Sequence, residues 1–109
     1  MKIVDNNIAK ISDLCKNHKV ETLYLFGSAI SENFSESSDI DLLVKFKSFD
    51  LAFYFQNYMD LKDKLKEIFN REVDLVEEQT LKNPYLINSI NKNKQLIYGW
   101  ENSKIVIWY

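Results

Sequence analysis

Three aspartates interrupt segments that are otherwise apolar, and their spacing would bring their carboxylates together. Asp39 and Asp41 stand two residues apart at the start of the segment DIDLLVKF. Because alternate side chains of a strand project from one face, their α-carbons would lie about 6.5–7 Å apart on the same side of a sheet. Asp74 has a similar position in the short segment EVDLVE. Burying an unpaired carboxylate is costly, so acids in such apolar segments point to a function.

The three carboxylates predict a divalent cation site if the two strands pair side by side. Two carboxylates about 5 Å apart repel each other by about 3 kcal/mol at an effective dielectric constant of about 20. Protonation or a bound cation relieves this repulsion, and carboxylate oxygens are ligands that Mg²⁺ prefers. For any one of the three aspartates taken alone, a solvated strand end is the simpler interpretation.

A glycine and a serine, Gly27 and Ser28, directly follow the first predicted strand. Glycine lets the backbone approach a ligand closely, and the amide and hydroxyl groups that follow can donate to phosphate oxygens. The ten residues 29–38 are enough to cross from this strand to the one that carries Asp39 and Asp41. A phosphate-binding turn beside a pair of carboxylates predicts a nucleoside-triphosphate site, where metal ions assist displacement at the α-phosphorus.

The elements that must position these residues follow from the hydrophobic periodicity. Apolar residues at helical spacing predict helices at 6–17, 50–69 and 81–90. Runs of apolar and β-branched residues predict strands at 20–26, 39–46, 72–77 and 95–98, and a polar loop spans 31–38. This order predicts an α/β (α+β) fold, in which helices flank a small mixed sheet of three to four strands.

Composition limits the class of protein. The chain has 109 residues, of which 46% are hydrophobic and 28% charged, as expected for one globular domain. Its net charge is −2 and Arg71 is its only arginine, so we expect no nucleic-acid partner. The apolar runs are too short for a signal peptide or a membrane helix, which predicts a cytoplasmic protein with no membrane contact.

The remaining reactive and aromatic residues are predicted to have structural roles. Cys15, the only cysteine, lies on an apolar stripe and is expected to be buried as a small hydrophobe. His18 is expected to be solvated at the end of the first long helix. The aromatic residues within 53–58 are expected to pack against the sheet. Lys45 is expected to share a strand face with Asp39 and Asp41 and could contact a triphosphate, although a solvated lysine at the strand end is the simpler interpretation.

Two segments carry a resemblance to a known family. The segment LYLFGSAISENFSESSDIDLLVKF, followed later by REVDLVEE, resembles the signature of the minimal nucleotidyltransferases within the DNA polymerase beta-like nucleotidyltransferase superfamily. The resemblance covers about residues 5–98. It implies a nucleotidyltransferase fold, with a minimal nucleotidyltransferase domain at 1–99 and a C-terminal tail at 100–109. The tail could fold back on its own sheet or dock on a partner.

The resemblance also implies an activity and a partner. Members of this family include antitoxins of HEPN/MNT toxin–antitoxin pairs, which transfer AMP from ATP to a tyrosine of a HEPN-type toxin. By resemblance, Gly27 and Ser28 would hold the triphosphate, and Asp39 and Asp41 would bind two Mg²⁺ ions. Asp74 would complete the metal site and favour deprotonation of the incoming hydroxyl. A hetero-oligomer of this chain with a cognate toxin is therefore expected.

Two other functions stay open on the sequence. The loop after Ser28 continues with Ala29, Ile30 and Ser31 rather than arginine, which favours an antitoxin that neutralises its partner by contact alone. The other alternative is a nucleotidyltransferase acting on a small molecule, such as the enzymes that modify aminoglycosides. Those enzymes generally carry a further substrate domain, for which 109 residues leave no room.

Overall fold

The computed structural model describes residues 2–27, 38–48 and 50–99. Within them, helices flank a mixed four-stranded sheet, which confirms the predicted α+β fold. The strands are β1 (Val20–Phe26), β2 (Ile40–Phe46), β3 (Val73–Glu77) and β4 (Gln95–Tyr98). The α-helices are α1 (Lys2–Asp5), α2 (Ile8–Asn17), α3 (Tyr54–Phe69) and α4 (Pro84–Asn93). Ser28, residues 31–37 of the predicted loop and the tail 100–109 lie outside the described residues.

The strand order places the starts of two strands beside the end of a third. The sheet has the order β3-β2-β1-β4, in which β1 is antiparallel to both of its neighbours and β2 is parallel to β3. Parallel strands need a long crossover connection, and α3 supplies it here. As a result, the first residues of β2 and β3 lie at the same end of the sheet as the last residues of β1.

Both faces of the central strands are covered. One face packs against α2 and α3, and its core includes Leu23, Leu25, Ile40, Leu42, Val44, Val73 and Leu75. The opposite face carries a smaller cluster in which Tyr24 and Leu43 pack with Ile90 of α4. Side chains of β2 alternate between these two faces. Because both faces are covered, the sequence of β2 is nearly continuously apolar.

Helix boundaries differ from the prediction where capping groups set them. The helix predicted at 81–90 begins at Pro84, because the Asn83 side chain accepts hydrogen bonds from the backbone N–H groups of Tyr85 and Leu86. Proline is favoured at this first helical position, and a 3-10 helix (Glu78–Thr80) occupies part of the preceding segment. The short helix α1 was not predicted.

The long helix also starts later than predicted. A 3-10 helix (Leu51–Phe53) precedes α3, and the Asp50 carboxylate accepts from the Ala52 N–H at 3.0 Å.

No helix among the described residues combines the length and the apolar character needed to cross a membrane.

The predicted packing of the aromatic segment 53–58 is correct for two residues and wrong for two. Tyr54 and Tyr58 pack against the main core and continue into the buried stripe of Leu61, Leu65 and Phe69. Phe53 and Phe55 are 61% and 73% exposed. The 3.6-residue period explains the difference, because residues adjacent to Tyr54 in sequence point about 100° away from it.

Cys15 is buried as predicted, whereas His18 is not solvated. Burial raises the pKa of the Cys15 thiol to about 12, which makes it a poor nucleophile. The His18 ring is buried between α2 and α3, with Nδ1 2.8 Å from the Leu14 carbonyl oxygen and Nε2 2.5 Å from an Asp60 carboxylate oxygen. The prediction for His18 was wrong because its partner lies 42 residues away in the sequence.

Candidate active site

The parallel pairing of β2 with β3 places two of the predicted aspartates side by side. In the register of this pair, Asp41 lies opposite Asp74. Directly paired residues of neighbouring strands share a face, and the strands are about 4.8 Å apart. This face is the one covered by α4, since Leu43 follows Asp41 by two residues and packs with Ile90. The Asp41 side chain is half-buried and that of Asp74 is exposed, so the pair opens to solvent on one side.

Gly27 lies directly against the Asp41 carboxylate. The register pairs Phe26 of β1 with Asp41, and Gly27 follows with a φ of +71°, in the left-handed region that favours glycine. A Cβ atom at this position would lie 2.2 Å from Oδ2 of Asp41, well inside van der Waals contact. The absence of a side chain at Gly27 therefore makes room for the carboxylate and leaves the backbone accessible beside it.

Asp39 lies outside the strand, in a segment that is tied to the start of β3. It is exposed and precedes Ile40, the first residue of β2. An Arg71 guanidinium nitrogen donates to the Ser38 carbonyl oxygen at 3.2 Å, and the Ile40 N–H donates to the Glu72 carbonyl oxygen at 3.0 Å. These bonds hold together the two chain segments that enter β2 and β3.

Arg71 is the residue at this site that sequence reasoning missed. On the sequence, Arg71 stood out only as the lone arginine of the chain. Its position directly before EVDLVE was the available signal, because a cation there lies next to the start of the strand that carries Asp74. Its contact with Ser38 could not be inferred without the pairing of β2 with β3.

The structure brings together Gly27, Asp41 and Asp74, but it does not gather all three aspartates into one cluster. Among residues 2–27, 38–48 and 50–99, no three His, Cys, Asp or Glu side chains come close enough to hold a single metal ion. Ser28 lies outside the described residues. Metal and triphosphate binding by the predicted residues therefore stay predictions.

Lys45 has a partner on the neighbouring strand. Its ammonium nitrogen lies 3.3 Å from a carboxylate oxygen of Glu21 in β1. Both side chains are partly exposed, so this ion pair contributes little to stability. The contact favours the simpler structural interpretation of Lys45 over a role with a triphosphate.

Tyr58 links α3 to the outer edge of the strand that carries Asp74. Its hydroxyl donates a hydrogen bond to the Leu75 carbonyl oxygen. Burial raises the pKa of Tyr58, and the negative charge of Asp74 raises it further. The hydroxyl of Tyr58 is therefore influenced by the charge of Asp74.

Two clefts differ in their position relative to the acid pair, which consists of Asp41 and Asp74. A cleft of about 500 Å³ lies between the end of α2 and the start of α3, and its lining includes His18, Phe53 and Asp60. These helices cover the face of the sheet opposite to Asp41 and Asp74. A cleft of about 270 Å³ lies between Leu43 of β2 and helix α4, on the same face as the acids. A ligand bound at the acid pair could therefore reach the smaller cleft and not the larger one.

Sequence comparison relates this chain to nucleotide-transferring enzymes. Residues 9–103 match the family described as "Polymerase beta, Nucleotidyltransferase". The Methanocaldococcus jannaschii protein named "Putative protein adenylyltransferase MJ0128" is 34% identical over 99 residues, which cover 84% of this chain and 96% of that protein. A second protein of that organism, "Putative protein adenylyltransferase MJ1379", is 31% identical over the same shares of the two chains.

Solved structures show the same fold. One described as "Structure of putative minimal nucleotidyltransferase" matches with a TM-score of 0.71 and 26% identity, over 86% of this chain and 92% of that one. The complex described as "tri-AMPylated Shewanella oneidensis HEPN toxin in complex with MNT antitoxin" matches with a TM-score of 0.63 and 24% identity, over 94% of this chain and 78% of that one.

The family resemblance noted in the sequence is thus confirmed at three levels. The family match spans most of the chain, the relatives align over nearly their full length, and the strand order creates a glycine turn beside a pair of aspartates. The chain belongs to the polymerase beta nucleotidyltransferase family, as a member of its minimal nucleotidyltransferases.

Proposed function

We propose that this chain transfers AMP from ATP to a protein hydroxyl, namely a tyrosine of a HEPN-type toxin, and acts as the antitoxin of that pair. The observation that carries the proposal is the register of Asp41 with Asp74, with Gly27 held against Asp41. The protein acceptor is supported by the adenylyltransferase names of the relatives. The toxin partner is supported by the AMPylated HEPN toxin in the complex with a fold neighbour.

The donor set at this site fits Mg²⁺. Magnesium is usually held by one or two carboxylates together with substrate phosphates, rather than by a closed cage of protein ligands. Asp41 and Asp74 supply two such carboxylates in register. Asp39 lies just outside β2, and we assign it to the metal site as the third carboxylate on the family resemblance alone. A cation also offsets the repulsion between the paired carboxylates. When bound, Mg²⁺ would neutralise charge that develops on the phosphate oxygens.

The residues of the chain have distinct roles in the proposed reaction. The acceptor hydroxyl oxygen bonds to the α-phosphorus of ATP, and the bond from this phosphorus to its bridging oxygen breaks, which releases pyrophosphate. Gly27 leaves the backbone open to the phosphate chain, and Ser28 donates to its oxygens. Asp74, the more exposed acid, favours loss of the proton from the acceptor hydroxyl.

The test is transfer of label from α-labelled ATP to the HEPN-type protein encoded beside this gene, in the presence of Mg²⁺. We expect the wild-type chain to label the partner, and the double variant Asp39→Asn/Asp41→Asn to lower the rate by about 100-fold or more. Glu72→Gln, which removes an exposed charge beside β3, is the matched control and should keep the wild-type rate. Absence of label with a folded wild-type chain and a confirmed partner would refute the proposal.

The same variants separate catalysis from neutralisation by contact. If Asp39→Asn/Asp41→Asn no longer labels the toxin but still protects cells from it, the contact-only alternative is correct. If protection and labelling are lost together while the variant still binds the toxin, the antitoxin acts through transfer. Binding is measured with the purified pair, so that a folding defect is not mistaken for a catalytic one.

A further inference from the structure

Arg71 bonds to the backbone of the segment that carries Asp39. Its guanidinium Nη1 donates a hydrogen bond to the Ser38 carbonyl oxygen at 3.2 Å. On the other side of Asp39, the Ile40 N–H donates to the Glu72 carbonyl oxygen at 3.0 Å. Asp39 is the single residue between these two bonds, and it is exposed. Because packing does not fix its carboxylate, the position of this group depends on its two anchored neighbours.

The end of α3 determines where Arg71 lies. Asn70 caps this helix with a φ of 53°, in the left-handed region that asparagine adopts more readily than most residues. Arg71 follows directly and is half-buried. Its planar guanidinium offers donors in a rigid fork. Of the two bonds that flank Asp39, the one from Arg71 is made by a side chain, so it is the one that a substitution can remove.

We propose that Arg71 is a positioning residue, which holds the backbone beside Asp39 so that this carboxylate can share a divalent cation with the acid pair. The inference rests on the proposed function, because it takes Asp39 as a ligand of the metal. A residue that orients a metal ligand without touching the metal typically contributes about 10-fold to 100-fold to metal affinity or activity.

The charge of Arg71 suggests two competing roles, which predict different results. A guanidinium that acts only through its field repels a metal cation, so its removal in Arg71→Met would tighten metal binding. A guanidinium that contacts the triphosphate would, when removed, weaken ATP binding even without metal. The positioning role predicts weaker metal binding although a positive charge has been removed. The bond to a backbone carbonyl oxygen favours this third role.

The test measures the affinity of the full chain for Mn²⁺ by electron paramagnetic resonance, since Mn²⁺ takes the same oxygen ligands as Mg²⁺. We expect Arg71→Met to weaken Mn²⁺ binding by about tenfold or more. Arg71→Lys keeps a charged donor and should recover most of this loss. Lys66→Met is the matched control, because Lys66 is a cation that pairs with Glu72 at 3.2 Å rather than with Ser38. It should bind Mn²⁺ at least as tightly as wild type.

A double-variant cycle tests whether Arg71 acts through Asp39. If it does, adding Arg71→Met to Asp39→Asn weakens Mn²⁺ binding no further, because the ligand that Arg71 positions is already lost. Losses that multiply in the double variant overturn the inference. Urea unfolding of each variant shows that it is folded at the temperature of the binding measurement. Arg71→Gln, which has a shorter side chain, replaces Arg71→Met if that variant does not fold.

The remaining outcomes separate this inference from the proposed function. Unchanged or tighter Mn²⁺ binding by folded Arg71→Met overturns the positioning role, and the transfer activity of the wild-type chain is unaffected by that result. An equal loss in Lys66→Met also overturns it. Weaker ATP binding in the presence of EDTA, with Mn²⁺ affinity unchanged, assigns Arg71 to the triphosphate instead. A wild-type chain that binds no Mn²⁺ with or without ATP refutes the metal site of the proposed function, and the inference falls with it.

Discussion

Gly27 is the residue on which the geometry of the acid pair depends most directly. Its positive φ and its contact with Asp41 are two separate requirements, and each excludes a side chain at this position. Gly99 also combines a positive φ with a close contact, but at the opposite end of β1, where an added Cβ would lie 2.2 Å from the Glu21 carbonyl oxygen. The two glycines therefore share a backbone constraint and differ in what lies beside them.

Replacing Gly27 with alanine should impair nucleotide binding beyond its effect on stability. The left-handed conformation costs a non-glycine residue about 1–2 kcal/mol, and the new methyl group must displace the Asp41 carboxylate. We expect Gly27→Ala to lower ATP affinity by about tenfold, as measured by calorimetry. Gly99→Ala should lose at least as much stability, because the added methyl group meets backbone atoms of Glu21 and Thr22, and it should keep wild-type ATP affinity. Equal ATP affinity in the two variants would argue against a role for Gly27 at the site.

Asp60 provides a pH-dependent contribution to stability. Hydrogen bonds from Lys64 and then from His18 lower the pKa of its carboxyl group in the folded state. The charged form thus stabilises the fold above the unfolded-state pKa of about 3.9, and this contribution is lost as pH falls through the lower folded-state value.

The expected result is a stability difference between wild type and Asp60→Asn that is largest at neutral pH and shrinks below about pH 4. Denaturant unfolding at a series of pH values measures it. Asp63→Asn, which removes an exposed aspartate from the same helix, should show no such convergence with wild type. A difference for Asp60→Asn that stays constant down to pH 3 would contradict the assignment.

The roles of single residues were predictable where they follow from local periodicity. The faces of Asp41 and Asp74 follow from alternation along their strands, and the burial of Cys15 follows from its place on a helical stripe. The pairing of His18 with Asp60 was not predictable, because it depends on how α2 packs against α3. The role of Arg71 depends likewise on the alignment of β2 with β3.

At the scale of elements, the unit formed by β2, α3 and β3 holds the acid pair in place. The strand β3 lies at one edge of the sheet, with β2 as its single neighbour among the described strands. Tyr58 binds the Leu75 carbonyl oxygen on the outer side of this strand. Burial raises the pKa of Tyr54, and the charge of Glu77 at the end of β3 raises it further. Two tyrosines one helical turn apart thus join α3 to the strand that carries Asp74.

Tyr58→Phe should loosen this connection without leaving a cavity. Loss of one hydrogen bond to a backbone carbonyl should lower the free energy of unfolding by about 1 kcal/mol. Urea denaturation measures the change. Tyr85→Phe is the control, because Tyr85 is 84% exposed on α4 and should unfold as wild type does. Equal stability of the two variants would show that the bond to Leu75 contributes nothing.

Element types were predictable from periodicity, whereas some boundaries required the capping groups. Strands β1 and β4 were predicted with the bounds that the structure has, and β2 and β3 each begin one residue later than predicted. The start of α4 was misplaced because the apolar pattern begins at Leu81, while Asn83 and Pro84 determine where helical hydrogen bonding can begin. Parallel pairing of β2 with β3 follows from a long helix between them.

At the scale of the whole molecule, large apolar side chains remain exposed on the 3-10 helix Leu51–Phe53 and on α3, which follows it. Leu51 and Phe55 are 83% and 73% exposed, and Met59 continues the series at the same spacing of four residues. Exposed apolar surface of this kind is typical of sites that a protein partner covers. The proposed toxin complex offers such a partner.

The double variant Leu51→Ser/Phe55→Ser should weaken binding to the HEPN-type partner while leaving the fold intact. Residues central to an interface often contribute about 2 kcal/mol or more, so we expect a loss of affinity on the order of 30-fold. Biolayer interferometry with the purified partner measures it. Tyr85→Ser/Leu86→Ser, which changes exposed apolar residues of α4, should bind as wild type does. The opposite ranking of the two double variants would place the partner on α4.

The pairing of β4 with β1 joins the last strand of the sheet to the first. The buried residues of the main core all lie within 4–75, but one edge of β1 has no neighbour until residues 95–98 pair with it. An unpaired edge strand is a site of mispairing with other chains. The state of this protein most prone to aggregation is therefore one in which the main core has formed and β4 has not yet added to the sheet.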